Sequence, residues 1–147
     1  MKKILKSWLP VLFWAAIIFL FSANPDPYRF LPASWHSAVP IPALSNSSAA
    51  ELLGQLMHFV EYAVLAFLLA RALYSSGRGA RVFQHDKPEP PKIPALVVII
   101  AMLYALSDET HQLFVPGRAF QVIDLVVDLV GVLGGAYLYK KLVAGSS

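Results

Sequence analysis

Cysteine is absent from this 147-residue chain. Its absence excludes a disulfide framework, a thiolate zinc site and thiol-based nucleophilic catalysis. Charge is scarce, at 14% of residues against about 25% in soluble domains. The chain also lacks a glycine-rich phosphate loop, a nucleophile elbow, a nucleic-acid-binding signature, and an H-E-x-x-H metal motif or other tightly spaced ligand pair. No internal repeat suggests the duplicated halves of a transporter. Apolar side chains are abundant, at 57% against about 45–50% in soluble domains. This balance indicates an integral membrane protein of one domain covering residues 1–147.

Four apolar segments read as membrane helices, at approximately residues 4–22, 50–73, 94–114 and 120–139. Ten of the twelve Lys and Arg residues lie before or in the first turn of the first segment, from the last turn of the second to the start of the third, or after the fourth. Only Arg29 and Arg118 lie in the other two connections. The positive-inside rule then predicts an all-α, four-helix membrane bundle with both termini cytoplasmic. Its expected location is the cytoplasmic (inner) membrane. Trp8, Pro10 and Trp14 interrupt the first segment, and Phe21-Ser22-Ala23 does not fit a cleavage site, so a retained anchor is expected there rather than a signal peptide. Ten of the eleven prolines lie at or beyond segment ends, Pro10 being the exception. Five of them stiffen the first external loop, where Tyr28, Phe30 and Trp35 suit the membrane interface. Ser48 and Glu51 form an S-x-x-E capping box at the start of the second helix, a structural role that removes Glu51 from the candidate site.

The polar residues within these segments carry the functional argument. The apolar run from Ile93 to Leu106 has 14 residues, roughly 21 Å of helix against a hydrocarbon core of about 30 Å. To cross, the third helix must take Ser107-Asp108-Glu109-Thr110-His111-Gln112 in with it. Ionisable groups there cost about 2.5–3.5 kcal/mol each on insertion scales and mark a functional site by default. Asp108, His111 and Gln112 share one helical face, with Glu109 on an adjoining one. On the second helix His58 and Glu61 are three apart, and on the fourth Asp124 and Asp128 are four apart. Counted from the helix ends at about 1.5 Å per residue, His58 lies roughly 9 Å deep, Glu61 roughly 14 Å, Asp108 roughly 10 Å, Asp124 roughly 6 Å and Asp128 roughly 12 Å. The shared depth predicts one outward-opening polar pocket.

Five carboxylates (Glu61, Asp108, Glu109, Asp124 and Asp128) face one obligate cation, Arg118, with His58 and His111 able to take a proton. Five ionised carboxylates cannot share a low-dielectric site, so some must be neutral, paired to histidine or bound to a cation. No cofactor is expected; a divalent metal held by the histidines and carboxylates is an alternative. A structural hydrogen-bond network would explain the same residues, and Asp124 could simply complement the helix dipole near the start of the fourth segment. Gly131 and Gly135, four apart, allow close helix packing and are read as structural.

These residues resemble the VanZ-like family of small bacterial membrane proteins. The resemblance is carried by Phe21-Ser22, by His58-Phe59-Val60-Glu61-Tyr62, and by Asp108-Glu109-Thr110-His111-Gln112. It continues through Phe114-Val115-Pro116-Gly117-Arg118, Asp124 and Gly131, so that it covers nearly the whole chain. The chain departs from the family pattern at Gly54-Gln55, where members often carry a charged pair, at Gln121, where a small polar residue is frequent, and at Asp128, where Asn is frequent. The resemblance implies an envelope-linked role, since the family is named for a member associated with teicoplanin resistance in glycopeptide-resistance gene clusters. It does not imply a reaction.

The expected function is the binding of a membrane lipid or lipid-linked envelope component in the outer-leaflet pocket. Asp108, His111, Arg118 and Asp124 would form its polar floor, with Gln112 and Asp128 as further binding residues. Nucleic acid is not an expected partner. One alternative is an intramembrane enzyme with His111 or His58 as base and Glu109 or Asp108 as acid, Glu61 also being a candidate. Another is a proton-coupled transporter, for which four spans would require a homo-oligomer.

Overall fold

The computed structural model describes residues 2–25, 46–75 and 95–144, and among them the chain is all-α. Helix α1 covers Lys2–Ser22, α2 Asn46–Ser75, α3 Ala95–Gln112 and α4 Val122–Ala144. The expected helices at 4–22, 50–73, 94–114 and 120–139 are all present. The second begins four residues earlier than expected and the fourth runs five residues further. The proline-rich loop with Tyr28, Phe30 and Trp35 lies outside the described residues, as do the side chains of Ser48 and Glu51.

Three helices have apolar stretches long enough to cross a membrane: Leu5–Ser22, Leu52–Ser75 and Val122–Leu142. Helix α3 is the exception. It has 18 residues, about 27 Å, and its last turns are polar. The distribution of side chains is inverted relative to a soluble protein. His58, Glu61, Asp108, Glu109, Gln112, Asp124 and Asp128 are buried, while Leu103 is 62% and Phe114 79% exposed. Large apolar side chains of this kind line the outside of all four helices, as expected where the surroundings are hydrocarbon and polar groups must be satisfied internally. The exposed hydroxyls of Ser107 and Thr110 bond back to the carbonyls of Tyr104 and Leu106 at 2.7 Å each, which satisfies both donors within the helix.

Helices α1 and α2 run antiparallel: Trp14 Nε1 donates to the Glu61 carbonyl at 2.9 Å, and the Ser75 hydroxyl donates to that of Ser7 at 2.8 Å. Helix α3 lies along α1, the Tyr104 hydroxyl donating to the Ala15 carbonyl at 2.6 Å. Helix α4 packs most extensively on α2 and runs parallel to it. The centre is filled by Ile18 of α1, Tyr62, Leu65 and Leu69 of α2, Val97, Ala101 and Ala105 of α3, and Val132 and Ala136 of α4. Two glycines set the α2–α4 distance. A Cβ at Gly131 would run into the Phe59 carbonyl oxygen, and one at Gly135 into the Ala63 carbonyl oxygen. Only a residue without a side chain lets the two backbones come this close.

Helices α3 and α4 are joined tightly. The last turn of α3 closes with Phe114 N–His111 O at 2.9 Å and Val115 N–Gln112 O at 3.0 Å, followed by Arg118 N–Val115 O at 3.1 Å. With Pro116 second and Gly117 third at φ +81°, residues 115–118 form a type II β-turn, which requires a positive φ at its third position.

Gly135→Ala is expected to lower the unfolding free energy by about 1–3 kcal/mol through overpacking, although alanine is the better helix former. Gly134→Ala, whose nearest neighbour would be the Phe59 ring at 3.9 Å, is expected to be neutral or slightly stabilising. Unfolding in mixed detergent micelles, followed by tryptophan fluorescence, measures both.

Candidate functional site

The buried faces of the four helices change character together. Along α3 the stripe Val97, Ala101, Ala105 continues as Asp108, Glu109 and Gln112. Helix α4 starts its buried face with Asp124 and Asp128 before Val132 and Ala136. Helix α2 places His58 and Glu61 before Tyr62, Leu65 and Leu69, and α1 ends on the buried Ser22. Because α1 and α3 finish where α2 and α4 begin, these polar stretches fall at one end of the bundle.

Two hydrogen-bonded groups form there. In the first, His58 Nδ1 lies 3.1 Å from Asp128 Oδ1, both side chains being buried. The opposite ring nitrogen, Nε2, faces Asp124 Oδ2 at 3.8 Å, beyond hydrogen-bond length. The carboxylate on Nδ1 fixes the orientation of the imidazole and leaves Nε2 directed toward Asp124.

The second group is built around Gln112. Its Nε2 donates to Glu109 Oε1 at 3.0 Å and, more weakly, to Asp108 Oδ2 at 3.5 Å. Its Oε1 accepts from Arg118 Nε at 3.1 Å. A carboxamide does what neither a carboxylate nor a cation could: it accepts from the guanidinium at one end and donates to the carboxylates at the other. Glu109 Oε2 accepts the Gln121 backbone N–H at 2.8 Å, which ties the start of α4 to the end of α3. The type II turn brings Arg118 back toward Gln112.

A small cleft lies between the groups, lined by Phe21, Ser22, Met57, His58, Glu61, Asp108, Gln112 and Arg118. It admits a water centre over about 20 Å³, room for about one molecule. The Ser22 hydroxyl faces the Asp108 carboxylate there, while Asp128 Oδ2 is buried behind His58 without a hydrogen-bond partner.

The structure thus gathers His58, Glu61, Asp108, Glu109, Gln112, Arg118, Asp124 and Asp128 at one end of the bundle. His111 stands apart: it is half-buried, and its ring lies against Phe19 with centroids 4.6 Å apart. Helix α1 also contributes to the cleft, through Phe21 and Ser22, in addition to the three helices whose polar residues share a depth. The Phe21-Ser22 pair was the available signal. Met57 had none beyond its position next to His58.

For the divalent-metal alternative, one ligand atom from each of His58, Glu109 and Asp124 lies within 4.8 Å of the others, all three residues being buried. Such a group could hold a metal ion. Its donors come from three different helices, so no local motif could reveal it.

Asp128→Ala is expected to cost about 1–3 kcal/mol by leaving the buried imidazole N–H unpaired. Asp128→Asn, which keeps an acceptor oxygen, should retain most of that stability. Equal losses in denaturant titrations would place the effect elsewhere than in this hydrogen bond.

No curated protein and no solved structure matches the chain. A family model described as VanZ/LLP1 matches residues 7–144, an interval that contains every residue of the cleft and of both hydrogen-bonded groups. The chain belongs to the VanZ/LLP1 family.

Proposed function

We propose that this VanZ/LLP1 protein binds the anionic headgroup of a membrane lipid, or of a lipid-linked envelope component, at the polar end of a four-span bundle. In this reading α3 is the fourth membrane span. The distribution of Lys and Arg puts both termini in the cytoplasm of the inner membrane, so the polar end opens toward the outer leaflet. The family name carries an association with teicoplanin resistance, in keeping with an envelope ligand.

The observation that carries the proposal is the placement of Arg118. Its Nε is used by Gln112, so the terminal nitrogens of the fork, free of that bond, remain to engage a planar oxyanion. It lines the cleft together with His58, Asp108 and Gln112. The cleft volume restricts the pose. A space for about one water cannot enclose a headgroup, so the oxyanion sits at the mouth, on Arg118. The acyl chains lie against exposed apolar side chains on nearby turns, such as Leu20 and Leu56.

A second reading is supported by the His58–Asp128 pair. An imidazole oriented by a buried carboxylate is the arrangement a general base requires, so an intramembrane acid–base enzyme would use His58 and not His111. That enzyme would lose turnover of a candidate lipid on His58→Ala and keep it on His111→Ala.

Arg118→Ala is expected to weaken binding of anionic lipid by about tenfold or more, the loss of one charge-assisted contact, with zwitterionic lipid unaffected. Native mass spectrometry of the detergent-solubilised protein with both lipid classes reads this directly. Unchanged anionic-lipid binding would overturn the proposal.

A further inference from the structure

We infer that His58 Nε2, Glu109 and Asp124 form a binding site for one divalent transition-metal ion. It is independent of the lipid-binding reading, because none of its donors is the arginine on which that reading rests.

His58 Nδ1 is engaged by Asp128 Oδ1 at 3.1 Å. With the proton on Nδ1, Nε2 presents a lone pair, and 3.8 Å away it faces a carboxylate oxygen of Asp124 that is itself an acceptor. In that tautomer two electron pairs face each other in a buried space, and a cation bound between them would relieve the repulsion. Glu109 supplies a third donor, the three ligand atoms lying within 4.8 Å of one another. Metal–ligand bonds of about 2.0–2.2 Å place tetrahedral donors about 3.4 Å apart. The observed spacing therefore needs only a small inward rotation of the side chains.

The outer partners are already in place. Asp128 holds the imidazole from behind, the carboxylate–histidine arrangement that fixes tautomer and direction in metal sites. Glu109 is held on one oxygen by Gln112 and on the other by the Gln121 backbone N–H, and each oxygen keeps a further lone pair. Asp124 sits in the first turn of α4. Nearby, Asp128 Oδ2 is a buried acceptor without a hydrogen-bond partner. One imidazole and two carboxylates suit Zn²⁺ and, with more oxygen ligands, Mn²⁺. Three protein donors leave a position for a water or ligand oxygen. The ion would pin α2, α3 and α4 together at their polar end.

The test uses tag-free full-length protein in neutral detergent, stripped with a chelator and titrated with Zn²⁺ alone, without added lipid. Calorimetry and elemental analysis are expected to show one equivalent per chain. Nitrogen-15 spectra of histidine-labelled protein should show Nε2 of His58 moving on Zn²⁺ addition, with His111 unmoved. His58→Ala and Asp124→Asn should abolish uptake, Asp128→Asn should weaken it by about 10–100-fold, and His111→Ala should leave it unchanged. Absence of saturable one-to-one uptake by the wild-type protein would overturn the inference, as would uptake with no change at His58 Nε2. Both readouts use the unaltered chain, so they stand even where a variant fails to fold. Lipid binding that persists in the metal-free protein would leave the proposed function intact while the metal site fails.

Discussion

Helices α2 and α4 meet backbone to backbone where Gly131 and Gly135 face Phe59 and Ala63, and the polar end of the bundle is placed by that approach. In hydrocarbon there is no hydrophobic drive between helices, so close packing of small residues and interhelical hydrogen bonds must supply the attraction. The glycines do the first and thereby make the second possible. His58 precedes Phe59 on α2, and Asp128 precedes Gly131 by one turn on α4. Once the backbones are in register, a 3.1 Å contact between imidazole and carboxylate follows. A side chain at either glycine would lift α4 away and open that contact along with the packing.

The rest of the polar end is assembled around the same axis. Glu109 and Gln112 fasten α3 to the beginning of α4, through the Gln121 N–H and, by way of the Pro116-Gly117 turn, through Arg118. Tyr104 and Trp14 tie α1 to its neighbours through backbone carbonyls. A short α3 is tolerated because the Asp108, Glu109 and Gln112 face of its last two turns is buried among other helices instead of facing lipid, where the carboxylates would be most expensive. The bundle has an apolar exterior and a polar interior confined to one end, a division that suits recognition of an amphiphile or an ion and would be unstable in water.

The site is crowded with acceptors. Glu61, Asp108, Glu109, Asp124 and Asp128 are all buried, and Gln112 acts as the intermediary that lets Arg118 serve two of them without touching either. This chemistry favours a positively charged occupant near His58 and an anionic one near Arg118. The proposed metal ion and the proposed headgroup answer to those two needs separately.

Much of this could be read along the chain. The four helices follow from apolar length, and the internal pattern of α3, with Asp108, Glu109 and Gln112 within one turn, is a matter of helical spacing that no tertiary contact alters. The shared depth of His58, Asp108 and Asp124 is likewise a count from helix ends. What the sequence could not decide is which faces turn toward one another. His58 and Glu61 lie three residues apart on one helix, whereas the hydrogen bond of His58 is to Asp128, 70 positions away. His111 shares a helix with the site residues but is rotated against Phe19. Helical periodicity fixes angles within one helix; the rotation of each helix about its axis, and so the meeting of His58, Glu109 and Asp124, is fixed only when side chains on different helices compete for the same volume.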